Sequence, residues 1–231
     1  QLDFAHTDTI SLVEAMQKEQ GKLYGRVRIS LITNEDATVE KISAVLEAHS
    51  NVGENDIVII HMAGHGIKDK SGTFYFLTST VNSIEEPQNG GLSWSLLSAY
   101  LSKIKGRVIL LLDACHSGSI VTETVVPNES LAQEFFSGKR GGIMIFSASK
   151  GRQYSLESPV IGNGAGIFTY ALLQGLGEKS NEVDVNGNGV VEFMELVDYV
   201  SGYVDGVTNG EQTPWLSRKE LFGDLPVVTV Q

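Results

Sequence analysis

One cysteine and one histidine, each set among glycines, carry the chemistry this sequence offers. Cys115 is the chain's single cysteine and stands in Asp113-Ala114-Cys115-His116-Ser117-Gly118. His65 stands 50 positions earlier, in Ala63-Gly64-His65-Gly66. Sulfur attacks as thiolate, so it needs a base or a cation beside it. Imidazole exchanges a proton near neutral pH and fills that role. An acyl-transfer intermediate also needs donors aimed at its oxyanion. The backbone N–H groups of Gly66 and Cys115 are the candidates. Each residue alone has a plain structural reading, His65 as a turn residue and Cys115 as a small buried hydrophobe. Their joint placement turns the reading toward catalysis.

That placement depends on the elements around them. Asp56–Met62 and Val108–Leu112 are short apolar runs of the kind that form buried parallel strands. One leads into His65 and the other into Cys115. Ile143–Ser147 reads as a third such strand, Arg26–Ile32 as an alternating strand, and Tyr75–Leu77 as an edge strand or hairpin. Helical spacing appears over residues 6–19, Asp36–His49, Leu92–Lys103, Ile167–Leu176 and Glu192–Val204. Strands alternating with helices predict an α/β fold, a mostly parallel sheet with helices on both faces. Sites in such sheets form beyond the carboxyl ends of the strands, where both motifs lie.

The bulk numbers exclude several alternatives. With 231 residues, 42% hydrophobic and 19% charged, the chain has ordinary globular composition. A net charge of -11 argues against nucleic acid or an anionic membrane as partner. A single cysteine excludes an internal disulfide and a thiolate zinc cluster. No apolar run approaches the roughly 18 residues of a membrane span. Residues 1–20 lack the basic head and apolar run of a signal peptide, so a cytoplasmic location is expected. Gln1 is not a natural start, which suggests a piece of a larger polypeptide.

The segments Met62-Ala-Gly-His-Gly66 and Leu110-Leu-Leu-Asp-Ala-Cys-His-Ser-Gly118 resemble the catalytic motifs of caspase-like cysteine peptidases, metacaspases and bacterial caspase-domain proteins above all. The His-to-Cys interval is itself part of the known caspase signature. The resemblance spans nearly the whole chain. It continues through the segment 143–158, through Gly166-Ile-Phe-Thr-Tyr-Ala-Leu-Leu-Gln-Gly-Leu176, and through 187–200 and 210–214. It implies a caspase-like three-layer sandwich, a single peptidase domain over 1–231. Within it, 1–118 resembles the large subunit, 119–142 a linker and 143–231 the small subunit. The implied activity is a cysteine endopeptidase with His65, Cys115 and Gly66 as catalytic residues and no cofactor required for the chemistry.

The resemblance also implies the specificity. Caspases that cut after aspartate carry Gln two residues before the nucleophile; this chain has Asp113 there, as metacaspases do. A second acid, Asp8, matches the family's other pocket carboxylate, and Ser147 is assigned to the substrate-binding region. Two carboxylates in one pocket repel until a cation arrives, and a guanidinium answers both. Peptide or protein substrates with Arg or Lys before the cut are therefore expected. Plain structural readings stand beside these: a helix cap for Asp8 and a strand-ending turn for Asp113. Ala63 departs from the family, many metacaspases having Ser there.

His61 is expected to be a packed or hydrogen-bonded residue and His116 to point away from the nucleophile. Lys139 and Arg140 lie in the linker and suit self-processing or a simple surface loop. The segment from Asp184 to Glu195 fits a calcium-loop template, with Asp184, Asn186, Asn188 and Glu195 as candidate metal ligands. The same stretch serves equally to turn the chain into the next helix. Caspase folds also have a strand before the Asp8 helix, and an upstream segment is the expected partner there. Two other functional readings remain: a catalytically silent scaffold of the same fold, and a calcium-responsive interaction module.

Overall fold

The computed structural model describes residues 5–116, 142–149, 153, 155–156, 166–218 and 225–231; the side chains of residues 5, 8 and 114–116 are outside that description. In chain order the elements are α1 (Ala5–Gln17), α2 (Val39–Ala48), β1 (Ile57–Lys68), β2 (Phe74–Phe76), β3 (Leu92–Ser93), α3 (Trp94–Leu101), β4 (Arg107–His116) and β5 (Ile143–Ser147). They continue with α4 (Ile167–Leu176), α5 (Ser180–Val183), β6 (Val190–Glu192), α6 (Phe193–Thr208), β7 (Trp215–Arg218) and β8 (Pro226–Thr229).

Six strands form one sheet in the order β3-β2-β1-β4-β5-β7. The central β1, β4 and β5 run parallel, while β2, β3 and β7 are antiparallel to their neighbours. β6 and β8 make a separate two-stranded ladder. Alternation in β4 explains the layers, since successive side chains leave a strand on opposite faces. Ile109 and Leu111 enter a core shared with Leu12 of α1, Phe168 and Leu172 of α4, and Val200 of α6. Val108, Leu110 and Leu112 enter a second core with Leu46 of α2 and Leu97 of α3. Helices thus cover both faces, as the strand–helix alternation predicts. In the first core the Phe146 ring meets Phe168 edge-on at 5.0 Å and Phe193 at 6.2 Å, geometry that aromatic quadrupoles favour.

Helix starts follow local chemistry. Thr38 accepts a bond from the Lys41 N–H and Ser93 one from the Leu96 N–H. Such caps satisfy N–H groups that the first turn leaves open. The helix expected from Asp36 therefore begins only at Val39, after a short 3-10 turn over Asn34–Asp36.

Arg26–Ile32 is a correction. Its alternation predicts a strand, but the segment joins no ladder and leaves Ile29 38% and Leu31 44% exposed. A strand exists by its partner's hydrogen bonds, which periodicity cannot supply. A related gap lies on β1. β4 pairs with it over Ile57–Gly66, but on its other edge β2 pairs only from Gly66. Among the described residues, no strand covers that edge over positions 57–64.

The glycines of β1 have a packing reason. A Cβ at Gly64 would run into the Phe76 ring, and one at Gly66 into the Phe74 ring. Gly64→Ala is expected to lower stability by roughly 1–3 kcal/mol through overpacking. Adding Phe76→Leu should recover part of the loss; urea unfolding of both variants checks this.

Candidate active site

The site is built by one ladder. β1 and β4 pair in parallel with His65 opposite Cys115, Ala63 opposite Asp113 and Gly66 opposite His116. Both strands run further than their apolar cores predict, through the motifs themselves, so 65 and 115 are strand positions. Neighbouring strands lie roughly 4.8 Å apart, and registered positions share a face. Beyond the ladder, the Leu77 N–H donates to the His65 carbonyl at 2.8 Å, tying that end of β1 down. Nδ1 of His65 is buried. Gly66 has ladder partners on both sides, Phe76 and His116. The side chains of Asp8, Cys115 and His116, and the linker residues Lys139 and Arg140, lie outside the described residues.

Asp113, two positions before Cys115, is 8% exposed. Its Oδ1 accepts a bond from the Ser155 hydroxyl, and its Oδ2 accepts one from Thr169 Oγ1 at 2.8 Å. A carboxylate removed from water costs stability unless such donors answer it. Next to this pair, His61 Nε2 lies 3.4 Å from Thr169 Oγ1, and its Nδ1 lies 3.3 Å from Thr9 Oγ1. His61 is therefore hydrogen-bonded at both ring nitrogens, with part of its surface still accessible. Burial lowers its pKa, and the nearby Asp113 charge opposes that only in part.

The loop carrying Ser155 is held by two glutamines. Fully buried Gln212 accepts from the Leu156 N–H at 2.8 Å and donates to the Ala148 carbonyl at 2.9 Å. Gln153 bonds the Thr213 N–H at 2.9 Å and the Gly210 carbonyl at 3.1 Å. Ser147 is 1% exposed, with its hydroxyl donated to the Ser149 carbonyl at 3.3 Å. None of Ser155, Thr169 and Thr9 stands out in the sequence. Ser155 and Thr169 lie 42 and 56 positions from the carboxylate they bond, Thr9 lies 52 positions from His61, and only the fold assembles them.

The calcium-type loop closes on itself. Asp184 accepts from the Asn188 and Gly189 N–H groups at 3.1 and 2.8 Å. Glu195 accepts from the N–H groups of Val185 and Asn186 at 2.9 and 3.2 Å, and from that of Glu192 at 3.0 Å. Asn186 and Asn188 donate their side-chain amides to Glu192. Gly187 and Gly189 take positive φ angles of 70 and 83°, which suits glycine. The short α5 fills the gap between α4 and the loop, and the loop delivers the chain directly into β6 and α6. Among the described residues, no group of three or more His, Cys, Asp or Glu is placed to hold a metal ion. Nor is any described helix long and apolar enough to cross a membrane.

A mixed six-stranded sheet, parallel at its centre and antiparallel toward its edges, lies between helical layers with a histidine and a cysteine registered at the ends of two adjacent parallel strands, the architecture of a caspase-like α/β sandwich. The caspase domain family (Peptidase_C14) matches residues 2–226, and the chain belongs to that family of cysteine peptidases. Among solved structures, it is similar to caspase-1 from Spodoptera frugiperda, at 13% identity and a TM-score of 0.52, over 97% of this chain and 81% of that one. That likeness is one of fold. A comparison with curated proteins finds no match.

The lowered pKa of His61 has a signed consequence. An unfolded histidine takes up its proton near pH 6.5, whereas the folded His61 resists it. Unfolding therefore takes up a proton in the window below pH 6.5, and stability falls as pH drops through it. The difference in urea midpoint between wild type and His61→Gln is expected to change across pH 7 to 5, wild type losing more.

Proposed function

We propose that the chain is a cysteine endopeptidase that cuts peptide bonds after arginine or lysine. The observation that carries this reading is the register of His65 with Cys115 at the carboxyl ends of adjacent parallel strands. In the reaction, the Cys115 thiolate attacks the scissile carbonyl carbon and the carbonyl electrons move onto its oxygen. Gly66 and Cys115 N–H groups are the assigned oxyanion donors. Collapse of the intermediate breaks the C–N bond, and the His65 imidazolium gives its proton to the leaving amine. A thioester remains. His65, now neutral, takes a proton from water as the water attacks the thioester; the acid product leaves and the thiolate is restored.

Asp113 supports the basic preference. It is an acid beside the nucleophile position, it keeps 8% exposure, and both of its oxygens are held by hydroxyls. Asp8 belongs to the same reading as a second pocket acid on α1. Ser147 is assigned to the wall of that pocket through its backbone, at the end of β5 beside Leu112. The chemistry of this reading calls for no cofactor and routes no step through calcium; the Asp184–Glu195 loop, whose oxygens accept from its own N–H groups, belongs to the turn before α6. The edge of β1 over positions 57–64, which no strand covers among the described residues, fits an extended upstream segment of a larger polypeptide, which would pair there and complete the sheet. Cell-death or bacterial defence is the setting this reading suggests.

Fluorogenic peptides ending in Arg, Lys or Asp test the reading. Arg or Lys peptides should be cleaved, with activity lost in Cys115→Ala. In Asp113→Ala, kcat/KM should fall by roughly 10- to 100-fold, the scale of a hydrogen bond to a charged group. Cleavage after Asp would overturn the pocket assignment, and activity persisting in Cys115→Ala would overturn the nucleophile.

A further inference from the structure

We propose that Thr169 and Ser155 are positioning residues that set the Asp113 carboxylate for a guanidinium, with His61 and Thr9 holding Thr169 in turn. The proposal rests on reading Asp113 as the acid that receives the substrate's basic side chain. It adds an order to that preference, arginine above lysine, and names the residues that create it.

A carboxylate only accepts, so the single proton of the Thr169 hydroxyl goes to Asp113 Oδ2, 2.8 Å away. The Thr169 oxygen is then an acceptor toward His61 Nε2 at 3.4 Å, so Nε2 carries the imidazole proton. A neutral imidazole has one N–H, so Nδ1 accepts from Thr9 Oγ1 at 3.3 Å. Every bond in the chain Thr9, His61, Thr169, Asp113 therefore points the same way, from α1 through β1 and α4 to the carboxylate. Thr169 stands in the first turn of α4, where its branched side chain has few rotamers. Ser155 fixes the other oxygen, and Gln212 fixes the backbone of the residue after Ser155.

The result is a carboxylate that cannot rotate about its last bond without breaking a hydrogen bond on either side. Each oxygen has about two lone pairs, and one hydroxyl on each leaves a pair per oxygen for a ligand. Two acceptors held in a fixed plane match the parallel N–H fork of a guanidinium. An ammonium is a point charge and has no use for the plane. Losing the plane should therefore harm arginine substrates more than lysine substrates.

Steady-state kinetics on matched Arg and Lys peptides, with thermal midpoints alongside, test this in Thr169→Val, Thr169→Ser and Ser155→Ala. Thr169→Val should raise KM for the Arg peptide by on the order of tenfold, with kcat little changed and the Arg-to-Lys ratio reduced. Thr169→Ser, which keeps the hydroxyl, should restore both. Ser155→Ala should shift the ratio in the same direction, and it decides the matter if Thr169→Val fails to fold. An unchanged Arg-to-Lys ratio in the folded variants, with only the thermal midpoint lowered, would make these residues structural and overturn the inference. Asp113→Asn separates the two levels. Arg cleavage that survives Asp113→Asn defeats the underlying reading, and this inference with it. Arg cleavage lost in Asp113→Asn but indifferent to Thr169 and Ser155 defeats this inference alone.

Discussion

The parallel ladder between β1 and β4 is the constraint on which the rest depends. Its register runs without a break from Ile57–Arg107 to Gly66–His116. A slip of one residue would move each side chain to the opposite face. The same register that buries Ile109 and Leu111 on one face and Leu110 and Leu112 on the other puts His65 beside Cys115. Core packing and candidate chemistry are thus set by one choice. A residue pair 50 positions apart is held at strand spacing by a ladder whose aliphatic side chains are buried on both faces. β5, buried along its whole length and paired on both sides, holds β4 from the other direction.

Next to that ladder the protein tolerates a cluster of buried polar groups that a sheet alone would not hold. Asp113 occupies a position whose neighbours along the strand are aliphatic, and it is stable there because α4 and the loop after β5 each bring a hydroxyl to it. His61 lies on the same side of β1 and shares Thr169 with it. The clamp of Gln153 and Gln212 ties that loop to the segment after α6. The segment after α6 is thereby tied to the backbone next to Ser155, whose hydroxyl meets the carboxylate. The Asp184–Glu195 loop belongs to a different part of the fold, where its internal bonds serve to launch α6.

Much of this architecture is legible in the sequence, and the exceptions have physical reasons. Ile143–Ser147 and Ile167–Leu176 match their elements residue for residue because burial on all sides leaves a continuous apolar signature. The motif strands are longer than expected because glycine, histidine and aspartate disguise a strand whose ladder nevertheless continues. Their glycines read as backbone freedom, whereas the rings of Phe74 and Phe76 are what exclude a Cβ. Arg26–Ile32 has a strand's alternation and no ladder partner among the described residues. β7 escapes notice because Trp215–Arg218 is short, only half-buried, and acquires its partner from β5, some 70 positions back. At the site, His65, Cys115 and Asp113 are visible as motif residues. Ser155 and Thr169 are not, since a hydroxyl acquires its meaning from where the fold delivers it.

The central claim is that the ladder register makes His65 and Cys115 a working pair. Because Cys115 is the chain's single cysteine, its alkylation rate by iodoacetamide reports that thiol alone, and the rate can be followed against pH in wild type and His65→Gln. The account predicts a wild-type profile that titrates well below the ordinary thiol value of about 8.5, and a return toward that value in His65→Gln. Superimposable profiles, both titrating like a free thiol, would contradict it.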